Sequence, residues 1–195
     1  MRPGDDVVPD LHLAAQYTMY TASREHGAAH IRLVEVLPSG AVGRHARAVL
    51  REVLMKAGAE AETLADAEIV VSELAANADR HAAGSYELRI LDEAGVPAWC
   101  EVVDGTPDFG ELATRLDRLR TSVDADMPSL AENGRGLLLA LRLSGGDCAV
   151  YPARSSSTGA LGKAVGFALG TSLLIPVLFS QVAEIMTTCT PFIWR

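Results

Sequence analysis

Apolar positions recur along the chain with two periods, and the switches between them mark the elements. Within Ala29–Leu37, Ile31, Leu33, Val34, Val36 and Leu37 give a strand pattern that Pro38-Ser39-Gly40 breaks. Val42, Ala46, Val49, Leu50, Val53, Leu54 and Ala57 then follow helical spacing. Arg44, Arg47, Arg51 and Lys56 take the opposite side, and Gly58 ends the helix. A second helix is predicted from Glu60 to His81, with Leu64, Ala67, Val70, Val71, Leu74 and Ala78 as its buried stripe and Ala83-Gly84-Ser85 as its stop.

The period of two returns in Tyr86–Leu91, where Tyr86, Leu88 and Ile90 alternate with Glu87 and Arg89, and again in Ala98–Asp104. Asp92-Glu93-Ala94-Gly95 reads as the hairpin loop between them. The polar stretch Gly105–Asn133 reads as a long loop with a helix at Leu112–Leu119; such a loop in a compact domain is usually a lid or binding element. Arg135–Leu143 is a leucine-rich helix. Asp147–Tyr151 and Lys163–Leu169 are the last two strands, joined by the Ser-rich turn Ser155–Gly159.

This order predicts an α/β (α+β) two-layer sandwich, a mostly antiparallel sheet with helices on one face. Residues 1–28 read as an N-terminal extension, 29–169 as the domain and 170–195 as an apolar tail. The uncharged run Ala164–Ala183 is long enough to cross a bilayer. Its Gly166, Gly170, Thr171, Ser172, Pro176, Ser180 and Gln181, with no basic flank beyond Lys163, favour a buried strand followed by an apolar helix or a partner-binding tail.

Composition narrows the function classes. At 195 residues and 49% apolar content the chain has room for one well-packed domain. A net charge of −8 argues against general nucleic-acid binding, so no direct nucleic-acid partner is expected. Cys100, Cys148 and Cys189 form no zinc-like cluster and read as reduced, mostly buried thiols of a cytoplasmic protein. No apolar run follows Met1–Asp6, so no secretory leader is expected.

Three segments carry candidate chemistry. Ser72–Ala82 places Glu73, Asn77 and His81 four residues apart, one row on a helix surface. With Ile69 and Val70 one turn before it, Glu73 is expected to be partly desolvated, which raises proton affinity and suits a general base. Asn77 offers a neutral oxygen to a magnesium ion that also binds phosphates. Alone, the row reads equally as a solvated polar face. The second segment ends in Asp104, on the Cys100/Val102 face of its strand; there it reads a purine amine or merely caps the Gly105-Thr106-Pro107 turn. In the third, Gly134 and Gly136 bracket Arg135 at a helix start, where free N–H groups favour phosphate and glycine permits close approach.

Together these segments resemble the GHKL ATPases, the superfamily of gyrase and the histidine kinases, and most closely the bacterial anti-sigma-factor serine-kinase branch. Glu73, Leu74, Asn77, Ala78 and His81 match the N box E-L-x-x-N-A-x-x-H, Asp104 matches the acidic residue of the next box, and Gly134-Arg135-Gly136-Leu137 match the G-R-G-L of the last. The resemblance runs from about Ile31 to Leu169. It implies a Bergerat-type fold that binds ATP and Mg2+, with Glu73 as base, Asn77 as magnesium ligand, Asp104 on adenine and Gly105–Asn133 as ATP lid. His81, Gly105, Gly134, Arg135, Gly136 and Leu137 complete the implied ATP site. The implied partners are a sigma factor and a STAS-domain anti-anti-sigma factor phosphorylated on serine or threonine; the branch is often dimeric.

The chain departs from the pattern in two places. Asp104-Gly105-Thr106-Pro107-Asp108 does not keep the usual D-x-G-x-G. In Gly162–Leu169, relatives often carry Thr where Ala164 stands and an aromatic residue where Gly166 stands, so a nucleotide contact is expected to be lost. A catalytically weak binding module on the same fold is therefore the rival reading. A histidine-kinase fragment is disfavoured because no phosphoacceptor helix pair precedes the N box.

Overall fold

A computed structural model describes residues 29–121 and 132–170, and side chains within these except those of Ala29 and residues 132–135. Residues 1–28, most of the apolar tail, Cys189, and 122–131 of the expected lid lie outside the described residues. The element order is β1 (Ala29–Leu37), α1 (Val42–Lys56), α2 (Ala61–His81), β2 (Tyr86–Glu93), β3 (Val96–Asp104), α3 (Gly110–Thr121), α4 (Glu132–Leu143), β4 (Cys148–Arg154) and β5 (Leu161–Ala168). The strands form one sheet in the order β1-β2-β3-β5-β4, with every neighbouring pair antiparallel.

Local chemistry explains the joints. The β2–β3 hairpin turns through Ala94 (φ 51°) and Gly95 (φ 84°), two consecutive positive φ values that match the twist of the strands it connects. The turn is therefore tighter than the four-residue loop expected, and Asp92 and Glu93 remain in the strand. Helix α1 buries Val42, Ala46, Leu50 and Leu54, and α2 buries Ala67, Val70, Val71, Leu74, Ala75 and Ala78. The two pack closely at Gly43, where a Cβ would lie 3.2 Å from the Ser72 carbonyl oxygen.

All four described helices cover one face of the sheet. Leu88, Ile90, Cys100, Val102, Val150, Val165 and Phe167 project into a core shared with α1–α4. Burial drives both core thiols up, Cys100 well above the usual range and Cys148 to about 12, in keeping with inert, reduced cysteines.

Two expectations bear on the segments after β3. The helix expected at Leu112–Leu119 within the polar stretch is α3, longer at both ends than expected, and it buries Ala113, Leu116 and Leu119 in the core. Its apolar residues are sparse, but their spacing of three still makes a stripe. The buried strand favoured for the start of the uncharged run is β5, and no helix among the described residues is long and apolar enough to cross a membrane.

The other sheet face is polar yet buried. Arg89 bridges Glu87 at 2.8 Å and Glu101 at 3.3 Å. The Tyr151 hydroxyl donates to Glu101 and accepts from the Trp99 indole N–H. The Ser-rich turn folds onto Glu87, which accepts from Ser155 Oγ at 2.6 Å and from the backbone N–H groups of Ser156 and Ser157 at 2.9 and 2.8 Å. Burial alone would raise the Glu87 carboxyl, but these donors outweigh it and hold it at about 2.

Candidate functional site

Helix α2 carries Glu73, Asn77 and His81 along one edge of its buried stripe. Asn77 is half-buried, whereas Glu73 and His81 are exposed. The shelter expected for Glu73 is absent, because Ile69, one turn before it, is itself 46% exposed. Asn77 Oδ1 accepts a long 3.4 Å bond from Arg80 on the same helix.

Helix α4 meets this row at Gly136. A Cβ there would lie 2.8 Å from Asn77 Nδ2 and 3.2 Å from Glu73 Oε2. Only glycine lets α4 come this close with both polar side chains in place. Gly134 and Arg135 stand on the first turns of the same helix, which starts at Glu132 rather than Arg135. Leu137, matched to the last box, sends its side chain into the core at 3% exposure, so only its backbone is free to serve a ligand.

Asp104 closes the third side. It is buried, on the helix-covered face as its alternation predicts. Two bonds tie the following turn to the end of α2: Gly105 N–H donates to the Ala83 carbonyl at 2.9 Å, and Ala83 N–H donates to Thr106 Oγ1 at 3.0 Å. Thr106 N–H also caps Asp104 Oδ1 at 2.9 Å. Thr106 thus organises the turn at the position where D-x-G-x-G has its first glycine. Burial pushes the Asp104 carboxyl up, against the Lys163 ammonium and the Thr106 N–H.

Strand β5 supplies two residues that the sequence pattern did not flag. Gly162 has no room for a side chain, since its Cβ would collide with the Asp104 carbonyl. Lys163, the register partner of Asp104, donates to Asp104 Oδ1 at 2.8 Å. Ala164 instead joins Val103 and Tyr151 on the opposite face, so a Thr hydroxyl at that position would point away from Asp104. Gly166 has no room for a side chain, since the Trp99 indole crosses it and a Cβ there would collide with Nε1. The aromatic residue expected on β5 is in effect supplied by β3.

An open cleft between Gly40–Arg44 and Ala76, Asp79 and Arg80 shares α2 with the row but includes none of Glu73, Asn77 or Asp104. No cluster of three or more metal-ligating side chains occurs among the described residues. A metal here would lean on phosphate oxygens and a single protein ligand, a pattern magnesium accepts.

The site thus joins an N-box row, a glycine pressed against it and a buried carboxylate on the neighbouring strand. A family model for the histidine kinase-like ATPase domain matches residues 38–147, more than half of the chain. The chain belongs to that family. The match covers α1 to α4 and includes Glu73, Asn77, Asp104 and Gly136, while Lys163 lies outside it. Among solved structures, a chain of the SiaB–SiaC complex from Pseudomonas aeruginosa shares the fold, with a TM-score of 0.52 and 15% identity over 78% of this chain and 96% of that one. No curated protein matches the chain in sequence.

Proposed function

We propose that this histidine kinase-like ATPase domain is an anti-sigma regulator. It binds Mg-ATP between α2, α4 and the end of β3. It transfers the terminal phosphoryl group to a serine or threonine of a STAS-domain anti-anti-sigma factor, and it sequesters a sigma factor. The observation that supports this reading most is the close approach of Gly136 to Asn77 and Glu73, which brings the N box and the glycine box side by side.

Phosphoryl transfer asks the protein mainly for positioning and charge neutralisation. Asn77 Oδ1 would hold magnesium once freed of its long bond to Arg80. Asp104 orients the base. Glu73 takes the proton of the attacking hydroxyl as the new P–O bond forms and ADP leaves with the old one. Its exposure suits a hydroxyl delivered on the surface of another protein. Mg2+, when bound, neutralises charge on the phosphates. The fold shared with a chain of the SiaB–SiaC complex, a pair of proteins, supports a protein partner.

The second reading, a binding module with weak or no turnover, draws on the Arg80 bond to Asn77 and the lysine beside Asp104. Glu73→Ala separates the two. As a kinase, the variant binds Mg-ATP like wild type but transfers no phosphate to a STAS partner. Unchanged transfer removes Glu73 as the base, and wild-type protein that binds no ATP leaves the module reading in place.

A further inference from the structure

The lysine on β5 changes what the buried carboxylate offers. Lys163 and Asp104 face the same core side of the sheet, with side chains 11% and 4% exposed. Asp104 Oδ1 is filled by two donors, Lys163 Nζ at 2.8 Å and Thr106 N–H at 2.9 Å. Asp104 Oδ2 accepts no hydrogen bond among the described residues. Lys163 makes this one bond among the described residues, and an ammonium has three hydrogens to give. The pair therefore presents an uncommitted acceptor beside an uncommitted donor.

Adenine carries the complement on its edge, an amine donor next to a ring-nitrogen acceptor. We propose that Asp104 and Lys163 read that edge as a two-point device: Asp104 Oδ2 accepts from the exocyclic amine and Lys163 Nζ donates to the adjacent ring nitrogen. Lys163 is then a specificity residue in its own right and not only a counter-ion. The inference rests on the nucleotide reading above and extends it to a residue outside the family match.

Calorimetric titration of the full chain tests it, with Mg-ATP and its 1-deaza and 7-deaza analogues, each lacking one ring nitrogen beside the amine. Lys163→Met is expected to weaken Mg-ATP binding about tenfold or more, as loss of a charged hydrogen bond does. For one deaza analogue, wild type and Lys163→Met should bind equally, because the acceptor Lys163 would meet is gone. A merely structural lysine gives the same loss with all three nucleotides, and that outcome overturns the proposal. So does wild-type protein that binds GTP as tightly as ATP, since guanine presents acceptor and donor in the reverse order. If Lys163→Met fails to fold with its carboxylate unpaired, Lys163→Met/Asp104→Asn removes both charges. The double variant should lose all discrimination between ATP and the deaza analogues, and retained discrimination sinks the idea. Wild-type protein that binds no purine triphosphate refutes the nucleotide reading itself, whereas binding without a Lys163 signature refutes only this inference.

Discussion

Gly136→Ala should separate the site from the fold. The new Cβ would lie 2.8 Å from Asn77 Nδ2, 3.2 Å from Glu73 Oε2 and 3.4 Å from Glu73 Cβ. The shortest contact falls about 0.6 Å inside ordinary van der Waals range. Both obstacles are side chains on a partly open helix edge, so they yield by rotating and the backbone stays where it is. In exchange the helix gains about 1 kcal/mol of propensity, because alanine replaces glycine in α4. Stability measured by urea unfolding should therefore be unchanged or raised by up to about 1 kcal/mol. Function should move the other way. The displaced groups are the proposed magnesium ligand and base, and misplacement by about 1 Å in a catalytic array can cost about 100-fold. A shift of roughly half that should cut phosphoryl transfer to a STAS partner about tenfold or more. Transfer within twofold of wild type at unchanged stability would refute the claim that Gly136 shapes the site. A stability loss above about 2 kcal/mol would show that the contact is core packing.

Three further outcomes follow from the same geometry. Asp104→Asn should weaken Mg-ATP binding about tenfold or more by calorimetry, since it replaces a charged acceptor and strands Lys163; undiminished affinity would remove Asp104 from the base site. Glu87→Gln should cost about 3 kcal/mol near neutral pH, because the native carboxyl is held at about 2 against an ordinary 4.5. A lowered pKa adds stability that is full above the unfolded value and is lost as pH falls through the folded one, so the wild-type advantage in urea midpoints should shrink between pH 4.5 and 2; a gap independent of pH would contradict this. Leu116→Ala, at a fully buried position of α3, should destabilise by about 2–5 kcal/mol, and a loss under about 1 kcal/mol would mean that α3 is not part of the core.

The helices and the hydrophobic sheet face were legible because periodicity reports which side of an element is apolar. The stripes of α1 and α2 and the alternation of β2 and β3 place most of the same residues inward in the sequence and in the structure, although Ala57, counted in the first stripe, is exposed just past the end of α1, and Ala75, not counted in the second, is buried. The N box was legible for a related reason, since Glu73, Asn77 and His81 interrupt an otherwise regular pattern at helical spacing. What lay across the sheet was not legible. Asp104 meets Lys163 through the β3–β5 register, 59 residues apart in the chain, and no local pattern encodes that pairing.

The departures in β5 make the same point more sharply. By position along the strand, Ala164 is where a lost hydroxyl would be sought. Alternation turns Ala164 to the Tyr151 side and Lys163 to the Asp104 side, so a displacement of one residue decides whether β5 reaches the proposed nucleotide site at all. The same rule explains the buried charges of the second face. Alternation assigns Glu87 and Arg89 to the side away from the helices, but it does not say that this side is dry. There, Arg89 is paired with two carboxylates and Glu87 with a serine turn. A sheet that buries a satisfied ionic network on one face and an acceptor–donor pair with spare capacity on the other has used its polar residues in two ways. Of these two groups, the Asp104–Lys163 pair is the one with an acceptor and donors left for the proposed ligand among the described residues.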